Sequence, residues 1–98
     1  MTINLSACAA HYGAAQIVSL PSGAQVISAE DGSVIGKTPM TMRWKSGNGN
    51  RQTIIVKLQK AGYYEKTSSF WLDMRARNVK EALAAPQLVK IEMKKIGG

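Results

Sequence analysis

Few side chains in this sequence could do covalent chemistry, and their spacing decides what each could do. The single histidine, His11, follows the single cysteine, Cys8, by three positions. A nucleophilic thiol needs a base and a third group that orients the base. A histidine in a short unpatterned leader does not supply that arrangement. Glu30 and Asp31 are adjacent on a tight turn and the other four acids are scattered. Neither the facing carboxylates of a glycosidase nor an oxygen-ligand metal site follows from them. Gly47-Asn48-Gly49-Asn50 lacks the Lys-Ser/Thr and following helix of a phosphate cradle, and reads as a loop. One cysteine excludes an internal disulfide framework and a cysteine-rich zinc site. No catalytic residue, metal or cofactor is expected, and the chain does not read as an enzyme.

The cations are a different matter. Thirteen Lys and Arg against six Asp and Glu give a net charge of +7. Such an excess favours anionic partners: nucleic acid, acidic lipid or acidic wall polymer. Arg43 and Lys45, Arg51 and Lys57, and Lys90 and Lys94 fall on the outward positions of three amphipathic segments. If those segments share a sheet, one face is strongly positive, with Trp71 as an aromatic contact. Nucleic acid binding would call for aromatic residues interleaved with the cations. Trp44 instead belongs to the inward stripe Met40, Met42, Trp44, which leaves only Trp71 and Tyr63. A soluble basic nucleic-acid-binding β-domain is therefore the second reading.

The elements that would carry these residues are short strands. With 98 residues and 45% hydrophobic content, the chain suits one soluble domain with one core. No apolar run approaches the ~20 residues of a membrane-spanning helix. Residues 1–13 show no strand or helix pattern and read as a leader or flexible arm. Ala15–Leu20 and Ala24–Ala29 read as strands broken by Pro21-Ser22-Gly23. Asp31-Gly32 signals a type I′ hairpin, across which Val34 and Ile35 pair back. Gly36-Lys37-Thr38-Pro39 breaks the chain before the alternating strand Met40–Lys45. After the loop 46–50, a strand over 51–60 places Ile54, Val56 and Leu58 on one face. Ala61-Gly62 turns it, and 64–72 returns with Tyr64, Phe70 and Leu72 on one side. Asn78 and Glu81 are spaced as a capping box for a short helix that Pro86 ends. A last strand alternates Val89, Ile91 and Met93 with Lys90, Glu92 and Lys94. Six or seven short strands and one helix before the last strand predict a small all-β sandwich.

The order of motifs Pro21-Ser22-Gly23-Ala24, Gly36-Lys37-Thr38-Pro39 and Gly62-Tyr63 resembles the PEGA domain over roughly 15–72, extending to 88–95. Ser22 stands where that family usually has glutamate, and 73–86 reads as an insertion before the last strand. The resemblance implies a prealbumin-like β-sandwich serving as a non-catalytic module of bacterial envelope proteins. Pro21, Gly23, Gly36, Pro39 and Gly62 are then structural turn residues.

Leu5-Ser6-Ala7-Cys8 resembles a bacterial lipobox, in which Cys8 receives the lipid and becomes the mature N-terminus. Ala9 after it is compatible with outer-membrane sorting in a Gram-negative source. Only seven residues precede Cys8, without a basic or a full apolar region, so the resemblance implies a start further upstream or a shortened chain. The expected organisation is a leader and tether over 1–14 and a sandwich over 15–96. The expected role is a lipid-anchored envelope protein whose partner is another envelope protein or an anionic wall or lipid surface.

Overall fold

The computed structural model describes residues 11–46 and 51–97. The strands are β1 (His11–Leu20), β2 (Gln25–Ser28), β3 (Val34–Lys37), β4 (Met40–Ser46), β5 (Arg51–Gln59), β6 (Lys66–Asp73) and β7 (Gln87–Glu92), with α1 (Val79–Ala84) before β7. They form two sheets, one ordered β4-β1-β7 and the other β3-β2-β5-β6. The protein is a small all-β sandwich with one short helix before the last strand. β1 pairs antiparallel with β4 and parallel with β7, which closes the three-stranded sheet.

Alternation along each strand builds the core, because successive side chains point to opposite faces. Ala15 and Ile17 of β1 and Val89 and Ile91 of β7 face Val26 of β2, Ile54, Val56 and Leu58 of β5, and Leu72 of β6. Met40, Met42 and Trp44 pack against this cluster from β4, as their spacing predicts. Trp44 meets Phe70 edge to face, with ring centroids 6.3 Å apart.

Both proline corners switch sheets. The chain leaves β1 for β2 through Pro21, and leaves β3 for β4 through Pro39; both X-Pro bonds are cis. Gly23 and Gly62 adopt φ of +88° and +87°, a region an L side chain resists. Tyr63 pairs with Lys95 beyond the Gly62 turn, so the segment after β7 ties the two sheets together at that end.

The first strand begins at His11, four positions before the expected Ala15, and this corrects the reading of 11–14 as part of a flexible arm. Tyr12 exchanges two backbone hydrogen bonds with Ala76, and Ala14 is buried on the outer face, against which α1 packs. Gly36 is also corrected. It lies within β3 opposite Val26, with φ outside the positive region. Met40 sulfur would sit 3.1 Å from a Cβ at Gly36, so the glycine makes room for that methionine. The Asp31-Gly32 turn is wider than type I′. Only Gly32 has positive φ, and a four-residue loop is closed by Ser28 N–H donating to the Ser33 carbonyl. Tyr64 precedes β6 and is exposed rather than aligned with Phe70 and Leu72.

The capping box forms with one change of partner. Asn78 Oδ1 accepts from Glu81 N–H at 2.7 Å, while Glu81 Oε1 accepts from Arg77 N–H rather than from Asn78. No helix among the described residues is long and apolar enough to cross a membrane.

Candidate interaction surfaces

Five of the six cations divide between the two sheets and the sixth lies beyond β7, which corrects the expectation of a single basic face. Arg43, Lys45 and Lys90 lie on the outer face of the three-stranded sheet, in register with Ala14, Tyr12 and Val18. Lys45 Nζ stands 6.0 Å from the centre of the Tyr12 ring. Lys94 lies past the end of β7, where its carbonyl accepts from Tyr64 N–H. Arg51 and Lys57 lie on the outer face of the other sheet. The sheets form opposite layers, so one flat ligand cannot engage all six. Cys8 and the loop 47–50 lie outside the described residues.

Both outer faces expose large hydrophobic side chains, Leu20 and Leu88 on the three-stranded sheet and Val34, Ile55 and Trp71 on the four-stranded one. Arg51, Thr53, Ile55 and Lys57 project outward along β5, because Ile54, Val56 and Leu58 point inward. Across the register, Thr53 faces Trp71 on β6. Trp71 is 61% exposed, and the Arg51 guanidinium sits 5.5 Å from its ring centre. Ile55 and Val34 are also exposed, and Val34 pairs with a buried Ile27. The face therefore presents large hydrophobic side chains between the cations Arg51 and Lys57. Lys57 lies 4.0 Å from Glu65, and Asp73 lies 3.5 Å from Arg75. Both pairs are solvent-exposed and contribute little to stability.

The Gly/Pro motifs serve the interior of the molecule instead. Thr38 is 4% exposed, and its hydroxyl joins both corners. Thr38 Oγ1 accepts from the N–H groups of Gly23 at 3.1 Å and Ala24 at 3.0 Å, and lies 2.6 Å from Ser19 Oγ. Ser19 Oγ donates its one proton to the Pro21 carbonyl at 2.7 Å. The hydroxyl hydrogen between the two side chains must then come from Thr38. Ser19 did not stand out in the sequence, since an isolated Ser at a strand end carries no pattern, and Thr38 was read only as part of the Gly36-Lys37-Thr38-Pro39 turn, not for its hydroxyl. Gln87 is a second residue of this kind. Its Nε2 donates to the Trp71 carbonyl at 2.7 Å, and so covers part of the β6 edge.

Among the described residues, no three of His, Asp and Glu cluster as metal ligands would. The Asp31 carboxyl is held away from its ordinary pKa. Hydrogen bonds from the Ser33 N–H, and next from its hydroxyl, keep the carboxyl below the usual carboxylate range. Both bonds close the hairpin turn, where Asp31 is fully exposed. Compared with known proteins, the chain matches no family model, no curated protein and no solved structure.

Proposed function

We propose that this protein is a non-catalytic docking module of a bacterial cell envelope, tethered through a lipidated Cys8. The outer face of the β3-β2-β5-β6 sheet would receive another envelope protein. The observation that carries this reading is that face itself. Trp71, Ile55 and Val34 are exposed on a surface that is otherwise polar, with Arg51 held against the Trp71 ring. Exposed aromatic and arginine side chains are the groups that dominate protein–protein binding energies. The PEGA-like corners support the same reading, because the Thr38 network commits their polar groups to holding the two sheets together. The anchor would enter close to the start of β1, since Cys8 precedes His11 by three positions.

A photo-crosslinking residue at position 71, in the cells that make the protein, tests the reading. A discrete adduct with one membrane-fraction protein is expected, absent when the crosslinker is at Gln16 on the opposite sheet. Cys8→Ser should abolish fatty-acid labelling and weaken the adduct. Equal adducts from both positions, or labelling that survives Cys8→Ser, would contradict it.

A further inference from the structure

One strand of the four-stranded sheet is only half covered. β2 pairs with β5 from Gln25↔Gln59 to Ser28↔Val56, and then turns away into the hairpin loop. Residues 51–55 of β5 keep β6 on one side and, among the described residues, no strand on the other. Two independent hydrogen bonds show which way their backbones point. Gln87 reaches the Trp71 carbonyl from the outer edge of β6, so that carbonyl faces away from β5. Opposite residues in an antiparallel ladder share their hydrogen-bonding direction. Thr53, opposite Trp71, therefore turns its own N–H and C=O away from β6, and Arg51 and Ile55 follow by alternation. At the other end, Ser28 N–H is bonded to Ser33 on the β3 side, which gives the same phase. The N–H and C=O groups of Arg51, Thr53 and Ile55 thus point into an empty flank, with no partner among the described residues.

Beneath that flank lies a cleft of about 380 Å³ between the sheets. Ile35, Met42, Trp44 and Ile54 line its apolar floor, and Gln52 and Glu30 stand at its rim. A backbone edge above an apolar cleft is the geometry of strand addition, where main-chain bonds bind and alternate side chains fill pockets.

We infer that an extended segment of a partner polypeptide adds to β5 here, continuing the line of β2. The inference rests on the docking role proposed above and names its mode. The visitor's chemistry follows from period two. Its inward side chains enter the cleft and are apolar. Its outward side chains lie beside Arg51, Thr53 and Ile55, with Arg51 at one end and Lys57, itself paired with Ile27 of β2, one outward position beyond the other. Acidic residues there form favourable cross-strand pairs, and basic ones do not. The segment recognised is a short strand alternating apolar and acidic residues, and the net charge of +7 assists its approach.

The probe is a hexapeptide of alternating Glu and Val, titrated into isotope-labelled protein, with a Lys and Val hexapeptide as comparison. The acidic peptide is expected to bind at least tenfold more tightly. The amides of Arg51, Thr53 and Ile55 should exchange at least tenfold more slowly in its presence. Arg51→Glu combined with Lys57→Glu, both on the surface, should invert the preference toward the Lys peptide. Thr53→Pro removes the central donor without touching the β6 ladder, and should weaken both peptides. No preference between peptides, protection confined to β4 or to Trp71, or occupation of the flank by a second copy of the chain would overturn the inference. If the position-71 adduct persists while these amides stay unprotected, the strand mode alone falls and the docking role stands.

Discussion

Thr38 Oγ1 lies 2.6 Å from Ser19 Oγ, and this contact fastens the corner after β1 to the corner before β4. One hydroxyl at Thr38 donates to Ser19 and accepts from two backbone N–H groups, while Ser19 passes its own proton to Pro21. Two segments nineteen positions apart become one buried joint. Both proline corners, where the chain passes from β1 to β2 and from β3 to β4, depend on it.

Replacing Thr38 with valine keeps the shape and removes the hydroxyl. Ala24 N–H then loses its partner in a buried site, and Ser19 loses a donor. A cost of about 1–3 kcal/mol is expected for leaving such groups unsatisfied. Thr38→Ser keeps the network and should be clearly milder. Urea unfolding of the two variants checks this; equal midpoints would contradict the joint.

Gly62 and Gly13 should fail for different reasons. Gly62 has φ of +87° and open space where a Cβ would stand, so Gly62→Ala meets only backbone resistance, about 1–2 kcal/mol. Asn tolerates that region better and should restore part of the loss. At Gly13 a Cβ would overlap the Asp73 carbonyl and lie 2.7 Å from the Met74 sulfur. There Gly13→Ala should cost about 1–3 kcal/mol as overpacking, and Asn should be worse than Ala. Thermal melts of the four variants separate the two causes by the opposite order of Ala and Asn.

Asp31 sets a pH dependence of known sign. Its carboxyl is held below the usual range by the Ser33 N–H and hydroxyl, so folding favours the ionised form. The hairpin's stabilisation is therefore complete above the unfolded-state pKa and fades as pH falls through the lower folded value. A carboxyl-carbon NMR titration should place the Asp31 midpoint below that of an unstructured aspartate. Ser33→Ala removes the hydroxyl bond but keeps the N–H bond, so it should raise the midpoint only partway. An unmoved midpoint would contradict the assignment.

The helix cap makes a local prediction. Asn78→Ala removes the acceptor for Glu81 N–H, at a typical cost of about 0.5–2 kcal/mol. α1 has only six residues, so the effect should appear as faster amide exchange within 79–85. Exchange in β5 should be unchanged. Acceleration throughout the sandwich would show that the helix is not an independent element.

What the sequence could convey was the part with a period. Met40, Met42 and Trp44, and Ile54, Val56 and Leu58, alternate strongly enough to give both strand and face. The corners were legible because proline and glycine act through their own backbones. Gly13, Ala14 and Ala15 carry too little side chain for a hydrophobic pattern, so the start of β1 was hidden although all three are buried. Sheet membership was hidden as well. Alternation tells that Arg43 and Lys57 point outward, but only long-range pairing tells that they leave opposite layers. The uncovered half of β5 is a difference in length between neighbouring strands, and it exists only once those strands are paired.

If the Trp71 face of the sandwich is covered in place, hydroxyl-radical footprinting will detect the cover. Oxidation at Trp71 would be compared between purified protein and intact envelopes of the cells that make it. Tyr64 serves as the reference, being 53% exposed and located before β6. Envelopes are expected to protect Trp71 several-fold while Tyr64 reacts as it does in the purified protein. Equal reactivity of Trp71 in both settings would contradict it.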